Sequence, residues 1–214
     1  MIIVTGGSGG VGRAILPYLS GRVFALYNTH PVEKGYKINI ENPDEIKQFV
    51  KLIRPSQVTL IHLAAVNIDG LVLNYQKEWW DKVMSVNLTS NYLLTQALLP
   101  TMISDQWGRI IHISSIGVGN IGTVAYSTAK SALYGLSKVL AKEYAKFSIT
   151  SNILQLGYFG VGLFNEFTDE RKKEALKKVP TKKAGNPLNI VNAIDMIMKS
   201  DYINGAVIQI DGGI

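Results

Sequence analysis

The chain has 214 residues, 47% apolar and 18% charged, with a net charge of +6 and no cysteine. That composition builds a substantial core and argues against disorder, while the missing cysteines exclude disulfides, cysteine-based metal sites and thiol catalysis. No apolar run reaches the roughly 18 residues of a membrane span, and Met1 opens the first strand without a basic leader, so a cytoplasmic protein with no membrane partner is expected.

In chain order, Met1–Val4 is an apolar strand, and a helix over Val11–Leu19 follows despite Pro17 near its end. Val23–Tyr27 is a second strand, and Asn42 and Pro43 introduce a helix over Pro43–Ile53. Val58–Ala64 is a buried strand, Trp79–Ile103 a long helix and Arg109–Ser114 a strand. Ala125–Phe147 is a second long helix and Thr150–Gln155 a strand. Helices over Asp169–Lys178 and Pro187–Lys199 and a strand over Ala206–Ile210 complete the chain. Apolar strands interleaved with amphipathic helices imply a parallel sheet covered on both faces, a doubly wound α/β (Rossmann) fold. No repeat or low-complexity linker interrupts the series, so residues 1–214 are expected to form one domain.

Two regions carry chemistry. In Thr5-Gly-Gly-Ser-Gly-Gly-Val-Gly12, the glycines Gly6, Gly10 and Gly12 stand where a strand turns into a helix and a phosphate must approach the backbone. The helix start adds free N–H groups and partial positive charge for a pyrophosphate. The spacing is T-G-x-x-x-G-x-G; alone it is a tight turn, and its place after the first strand of an alternating chain favours a cofactor loop. Downstream, Tyr126 and Lys130 share a helix face one turn apart, which sets an ammonium near a phenol whose ordinary pKa is about 10. That charge is expected to lower the phenol pKa. Any helix can carry Y-x-x-x-K as a core tyrosine with a solvated lysine; Ser115 and the glycine loop, upstream in order, favour an enzyme. His30, His62 and His112 have no metal-ligand spacing, and the latter two fall in strands as packed core residues, so no metal is expected.

Arg171, Lys172, Lys173, Lys177, Lys178, Lys182 and Lys183 concentrate positive charge in one segment. They form either a solvated face or an attraction for an anionic substrate or carrier. No motif or aromatic-interleaved surface points to nucleic acid.

The chain resembles the short-chain dehydrogenase/reductase family nearly end to end. Thr5-Gly6…Gly10-x-Gly12, Asn87 in Val86-Asn-Leu88, Ser115 in Ile113-Ser-Ser-Ile116, Tyr126, Lys130, Asn152…Gly157 and Gly205…Asp211-Gly-Gly213 carry the likeness, and the second half is most similar to the 3-oxoacyl-carrier-protein reductase type. The resemblance implies reduction of a small-molecule carbonyl to an alcohol, or the reverse, by hydride transfer. In it Tyr126 is the general acid or base, Lys130 depresses its pKa and bonds the nicotinamide ribose, Ser115 holds the carbonyl oxygen, and Asn87 positions Lys130 through a water. Implied cofactor contacts are Gly6, Ser8, Gly9, Gly10, Val11, Gly12, Asn28, Thr29, Asn39, Ile40, Ala64, Ala65, Tyr126, Lys130 and Gly157. NADP is expected over NAD, because Tyr27, Asn28, Thr29 and His30 offer no carboxylate to repel a 2′-phosphate; Arg13 is a further candidate contact. A substrate lid over about 158–183 and a homodimer or homotetramer, paired through the two long helices, are also implied.

Several features depart from the pattern. His62-Leu-Ala-Ala65 and Ala25–Pro31 look more like the sugar-nucleotide-modifying branch. The loop from Ser115 to Tyr126 is about two residues short, so its wall must be rebuilt. Leu156 replaces a proline, and Val161 a threonine that commonly contacts the nicotinamide amide. Two alternatives therefore stand beside the carbonyl reductase: a sugar-nucleotide-modifying reductase of the family and a non-catalytic nucleotide-sensing relative.

Overall fold

A computed structural model describes residues 1–214. Its strands are β1 (Ile2–Thr5), β2 (Val23–Tyr27), β3 (Tyr36–Lys37), β4 (Val58–His62), β5 (Gly108–Ser115), β6 (Ile149–Leu156) and β7 (Val207–Ile210). They form one parallel sheet in the order β3-β2-β1-β4-β5-β6-β7. The helices are α1 (Gly10–Ile15), α2 (Pro43–Ile53), α3 (Lys77–Met84), α4 (Ser90–Asp105), α5 (Val124–Tyr144), α6 (Asp169–Lys178) and α7 (Leu188–Lys199). The expected doubly wound architecture is the one observed.

Strand alternation sorts the core onto two faces. Leu60 and Ile110 meet Phe49 of α2, Leu94 and Leu98 of α4, and Leu140 of α5. Ile61, Ile111 and Leu154 meet Ile15 of α1 and Ile190, Ile194 and Ile197 of α7. Each such buried side chain contributes roughly 1.5–3 kcal/mol.

Several elements differ from expectation, and the following departures each have a local reason. Pro17, which lacks an N–H, ends α1 at Ile15 and turns the chain into a 3-10 turn over Leu16–Tyr18. β4 stops at His62 because the amides of Leu63 and Ala64 leave the ladder and donate to the Thr5 hydroxyl. The two-residue β3 is too short for periodicity to reveal. The long helix expected over Trp79–Ile103 starts at Lys77 and contains a wide π-helical turn at Ser85–Thr89, which separates α3 from α4.

Candidate active site

The sheet order reverses between β1 and β4, and ligands of open parallel sheets settle outside the carboxyl ends of strands at such a reversal. Gly6 follows β1 with φ +68°, and a Cβ there would stand 2.7 Å from the Ala64 backbone beyond β4. Glycine alone permits that approach. A Cβ on Gly12 would lie 2.5 Å from the Gly6 carbonyl, so α1 begins tight against the turn. Ser8, Gly9, Gly10 and Val11 stay at the surface, and the first-turn amides of α1 have no acceptor within the helix, an arrangement suited to an anion. Two further glycines shape this loop. Gly7 donates its amide to Leu26 at 2.9 Å and lies against Ala25 of β2. Gly162, at φ +65°, lies where a Cβ on Gly10 would be 2.3 Å from its nitrogen, so the segment after β6 folds back onto the loop. The glycines of that segment were legible; their partner was not.

At the far end of this crevice Asn28, Thr29 and His30 follow β2 on the surface, with the Thr29 hydroxyl 2.9 Å from His30 Nδ1. Arg13 reaches across from α1. Its Nε donates to the Ser8 carbonyl at 2.9 Å and its Nη2 to the Pro31 carbonyl at 2.8 Å. The guanidinium thus ties the glycine loop to the loop after β2. Asn39 is spent on a turn: its amide donates to Glu45 at 2.8 Å and its side-chain oxygen accepts from Glu41 at 3.1 Å. Ile40 packs against the core beside it. Gly157 follows β6 at a point where a Cβ would lie 2.5 Å from Asp211 Cα, so it seats the C-terminal Asp211-Gly-Gly213.

Strand β5 brings the other residues together. Ser115 closes it, and the Ser115 hydroxyl accepts from the Gly117 amide at 2.9 Å. A Cβ on Gly117 would lie 3.2 Å from Ser115 Oγ and 4.0 Å from Tyr126 Cε1, so the pair faces a common space that glycine keeps open. Lys130 is only 2% exposed, and its Nζ donates to the Ile113 carbonyl at 2.7 Å. Burial brings this ammonium down to about 8. Nζ sits 5.7 Å from the centre of the Tyr126 ring. The expected lowering of the phenol is corrected: burial raises it, and the Ser115 hydroxyl pulls only partly the other way. Spacing correctly set the lysine beside the tyrosine, but desolvation of the phenolate outweighs the charge nearby.

Asn87 is fully buried in the wide turn, its Oδ1 accepting from the Val66 amide and its Nδ2 donating to the Val66 carbonyl, both at 2.8 Å. Its side chain is committed to the loop after Ala64 and Ala65.

The loop after Ser115 is braced from the loop after β4. Gly70 pairs with Thr123 and donates its amide to the Gly122 carbonyl at 2.8 Å, which joins the loop after β4 to the one before α5. Leu71, Val72 and Ile121 edge an open cavity of about 410 Å³ there. Over residues 158–183, Tyr158, Phe164 and Phe167 form an aromatic cluster, Phe159 is buried and Arg171 lies 3.9 Å over the Phe167 ring. Lys177 pairs with Glu174 at 2.6 Å and Lys172 approaches Asp169 at 3.8 Å, so part of the basic cluster is answered within α6.

A family model described as enoyl-(acyl carrier protein) reductase matches residues 19–214. The chain is 31% identical to a 3-oxoacyl-(acyl-carrier-protein) reductase of Haemophilus influenzae, over 99% of this chain and 96% of that protein. It is 30% identical to the Escherichia coli protein of that description, over 99% and 95%, and 31% identical to nodulation protein G of a Rhizobium species, over the same shares. A solved structure of a candidate gluconate dehydrogenase from Agrobacterium tumefaciens superimposes with a TM-score of 0.91 over 99% of this chain and 94% of that one, at 23% identity, a likeness of fold.

Proposed function

The chain belongs to the short-chain dehydrogenase/reductase family and is an oxidoreductase; on that premise we propose that it interconverts a small-molecule carbonyl and its alcohol with a nicotinamide cofactor, Ser115, Tyr126, Lys130 and Asn87 forming the proton relay. The observation that carries this reading is the convergence on β5 and α5. Ser115 and Tyr126 face one space, and the buried Lys130 is anchored one residue from His112 on the same strand.

The crevice suits a dinucleotide. Gly6, Ser8, Gly9, Gly10, Val11 and Gly12 would hold the pyrophosphate, Ala64 and Ala65 would line the crevice wall, and Asn39 and Ile40 would border the adenine. Asn28 and Thr29 would meet the adenosine ribose. With no carboxylate among Tyr27–His30 and Arg13 drawn toward them, NADP is preferred. When bound, the cofactor supplies or accepts the hydride. The protein's own work is proton and charge management. Tyr126 donates the proton to the carbonyl oxygen in reduction and takes it back in oxidation. The Ser115 hydroxyl holds that oxygen as a preorganised donor. Lys130, its charge destabilised by burial, is poised to share a proton near neutral pH. The segment 158–183 serves as the lid, with Gly157, Gly160 and Gly162 at its entrance. Leu71, Val72 and Ile121 favour a substrate with an apolar portion. Tyr92 and Val139, exposed on α4 and α5, suit pairing into a homodimer or homotetramer.

The test is reduced-cofactor oxidation across a carbonyl panel by the wild type and Tyr126→Phe. Turnover is expected to fall by roughly 10²–10⁴-fold in the variant with NADPH affinity unchanged. Near-native turnover by the variant would overturn the role of Tyr126, and no oxidation by the wild type with any carbonyl would favour a nucleotide-sensing protein.

A further inference from the structure

The reaction leaves a set of buried polar side chains unused. The rings of His62 and His112 stack 5.0 Å apart and 5° from parallel beneath α4. Burial pushes both down, His112 to about 3, with the Lys130 charge adding to the effect, so both imidazoles are neutral and each carries one N–H. Asn91 of α4 decides which nitrogen of His112 bears it. The Asn91 Nδ2 donates to the Asn87 backbone carbonyl at 3.2 Å, a group that can only accept. The amide oxygen is therefore the atom 3.1 Å from His112 Nδ1, and Nδ1 must carry the proton.

Through Asn91 this bond adjoins the wide turn. There the Ser90 amide reaches back five residues to the Ser85 carbonyl. In an α-helix, backbone amides four residues on would serve the carbonyls of Val86 and Asn87. Here side chains at that spacing reach them: Ser90 Oγ donates to Val86 at 2.7 Å and Asn91 Nδ2 to Asn87. Wide turns of this kind are rare and gather at functional sites. This one sets the Asn87 amide against both backbone polar atoms of Val66. The next residue of β5 after His112 supplies the carbonyl that anchors Lys130.

We propose that His112 and Asn91 are positioning residues of the proton relay: the imidazole on β5 orients the Asn91 amide, and that amide fixes the Asn87 carbonyl and its turn relative to Lys130. The proposal rests on the relay reading of Asn87 and Lys130. The titratable groups facing His112 are His62 from β4 and Lys130 from α5; α4 presents the neutral Asn91 and Thr95, the latter 2.9 Å from His62 Nε2.

Asn91→Leu keeps much of the volume and removes both bonds. With the turn loosened, Lys130 supports the phenolate less well, so the pH of half-maximal alcohol oxidation is expected to rise by about 0.5 or more and kcat to fall about tenfold, with NADPH affinity changed less than about twofold. His112→Leu should do the same, whereas His112→Asn, whose amide can still donate to Asn91, should keep the wild-type pH profile. A merely structural role would lower the unfolding temperature and leave the profile in place, which would overturn the proposal. Nitrogen NMR of the wild type tests it without a variant: His112 protonated on Nδ1 is required, and protonation on Nε2 overturns it. Tyr126→Phe separates the two failures. If that variant turns over normally the relay reading falls; if it is inactive while Asn91→Leu keeps the wild-type profile, only the positioning role falls.

Discussion

On the face of the sheet under α1 and α7, Ile61, Ile111, Ile113 and Leu154 pack against Ile190, Ile194 and Ile197, and β5 stays apolar there until Ser115 closes it. On the opposite face the same two strands run from Leu60 and Ile110 into His62, His112 and Ser114, which meet Thr95, Asn91 and Lys130. One face is a hydrophobic seal whose contacts are interchangeable in kind. The other is polar toward the crevice, and each group there needs a particular partner, because an unpaired buried polar atom is costly. Apart from Ser115 at its tip, β5 therefore keeps its apolar packing on one side and its paired polar side chains on the other.

Lys130→Met is the strongest way to break that division. Turnover should fall by roughly 10²–10⁴-fold, while the unfolding temperature holds or rises, since a buried ammonium is replaced by an apolar chain of similar shape. Parallel kinetics and calorimetry check both halves, and a large loss of stability would show that the ammonium's bond to Ile113 outweighs its desolvation. Acid should expose the same face. The unfolded His112 titrates near 6.5 and the folded one near 3, so below pH 6.5 the unfolded state takes a proton that the native state refuses. Stability is lost as pH falls from 6.5 toward 3, in total on the order of 5 kcal/mol from this residue. Urea midpoints at pH 7 and 4 should drop less for His112→Asn than for the wild type. Ile194→Ala probes the sealed face: about 2–5 kcal/mol of stability lost, with kcat per folded molecule and its pH profile unchanged. A shifted profile there would mean that the two faces are not independent. The smallest effect lies away from both faces, where Arg13→Ala should lower the preference for NADPH over NADH by about tenfold and flatten the salt dependence of NADPH binding, read from dissociation constants at two ionic strengths.

The sequence by itself determined the alternation of strands and helices, the glycine turn after β1, and the order of Ser115, Tyr126 and Lys130. All of these rest on periodicity or on spacings within a few residues, which short-range backbone geometry obeys wherever the segment lies. Pro43–Ile53 and Asp169–Lys178 match expectation to the residue, and Asn42 and Thr168, each just before its helix, cap the first-turn amides. What only the tertiary structure decided involves partners far apart in the chain. Lys130 turns to the Ile113 carbonyl, Gly162 lies on Gly10, and the Asn87 amide closes on Val66. The phenol of Tyr126 moved against the expectation from its neighbour because burial, which a one-dimensional pattern does not encode, sets the cost of its charge. The wide turn at Ser85–Thr89 has the same origin: its residues read as uninterrupted helix, and the side chains of Ser90 and Asn91 bond its carbonyls while Asn91 meets His112, 21 residues further on, on β5.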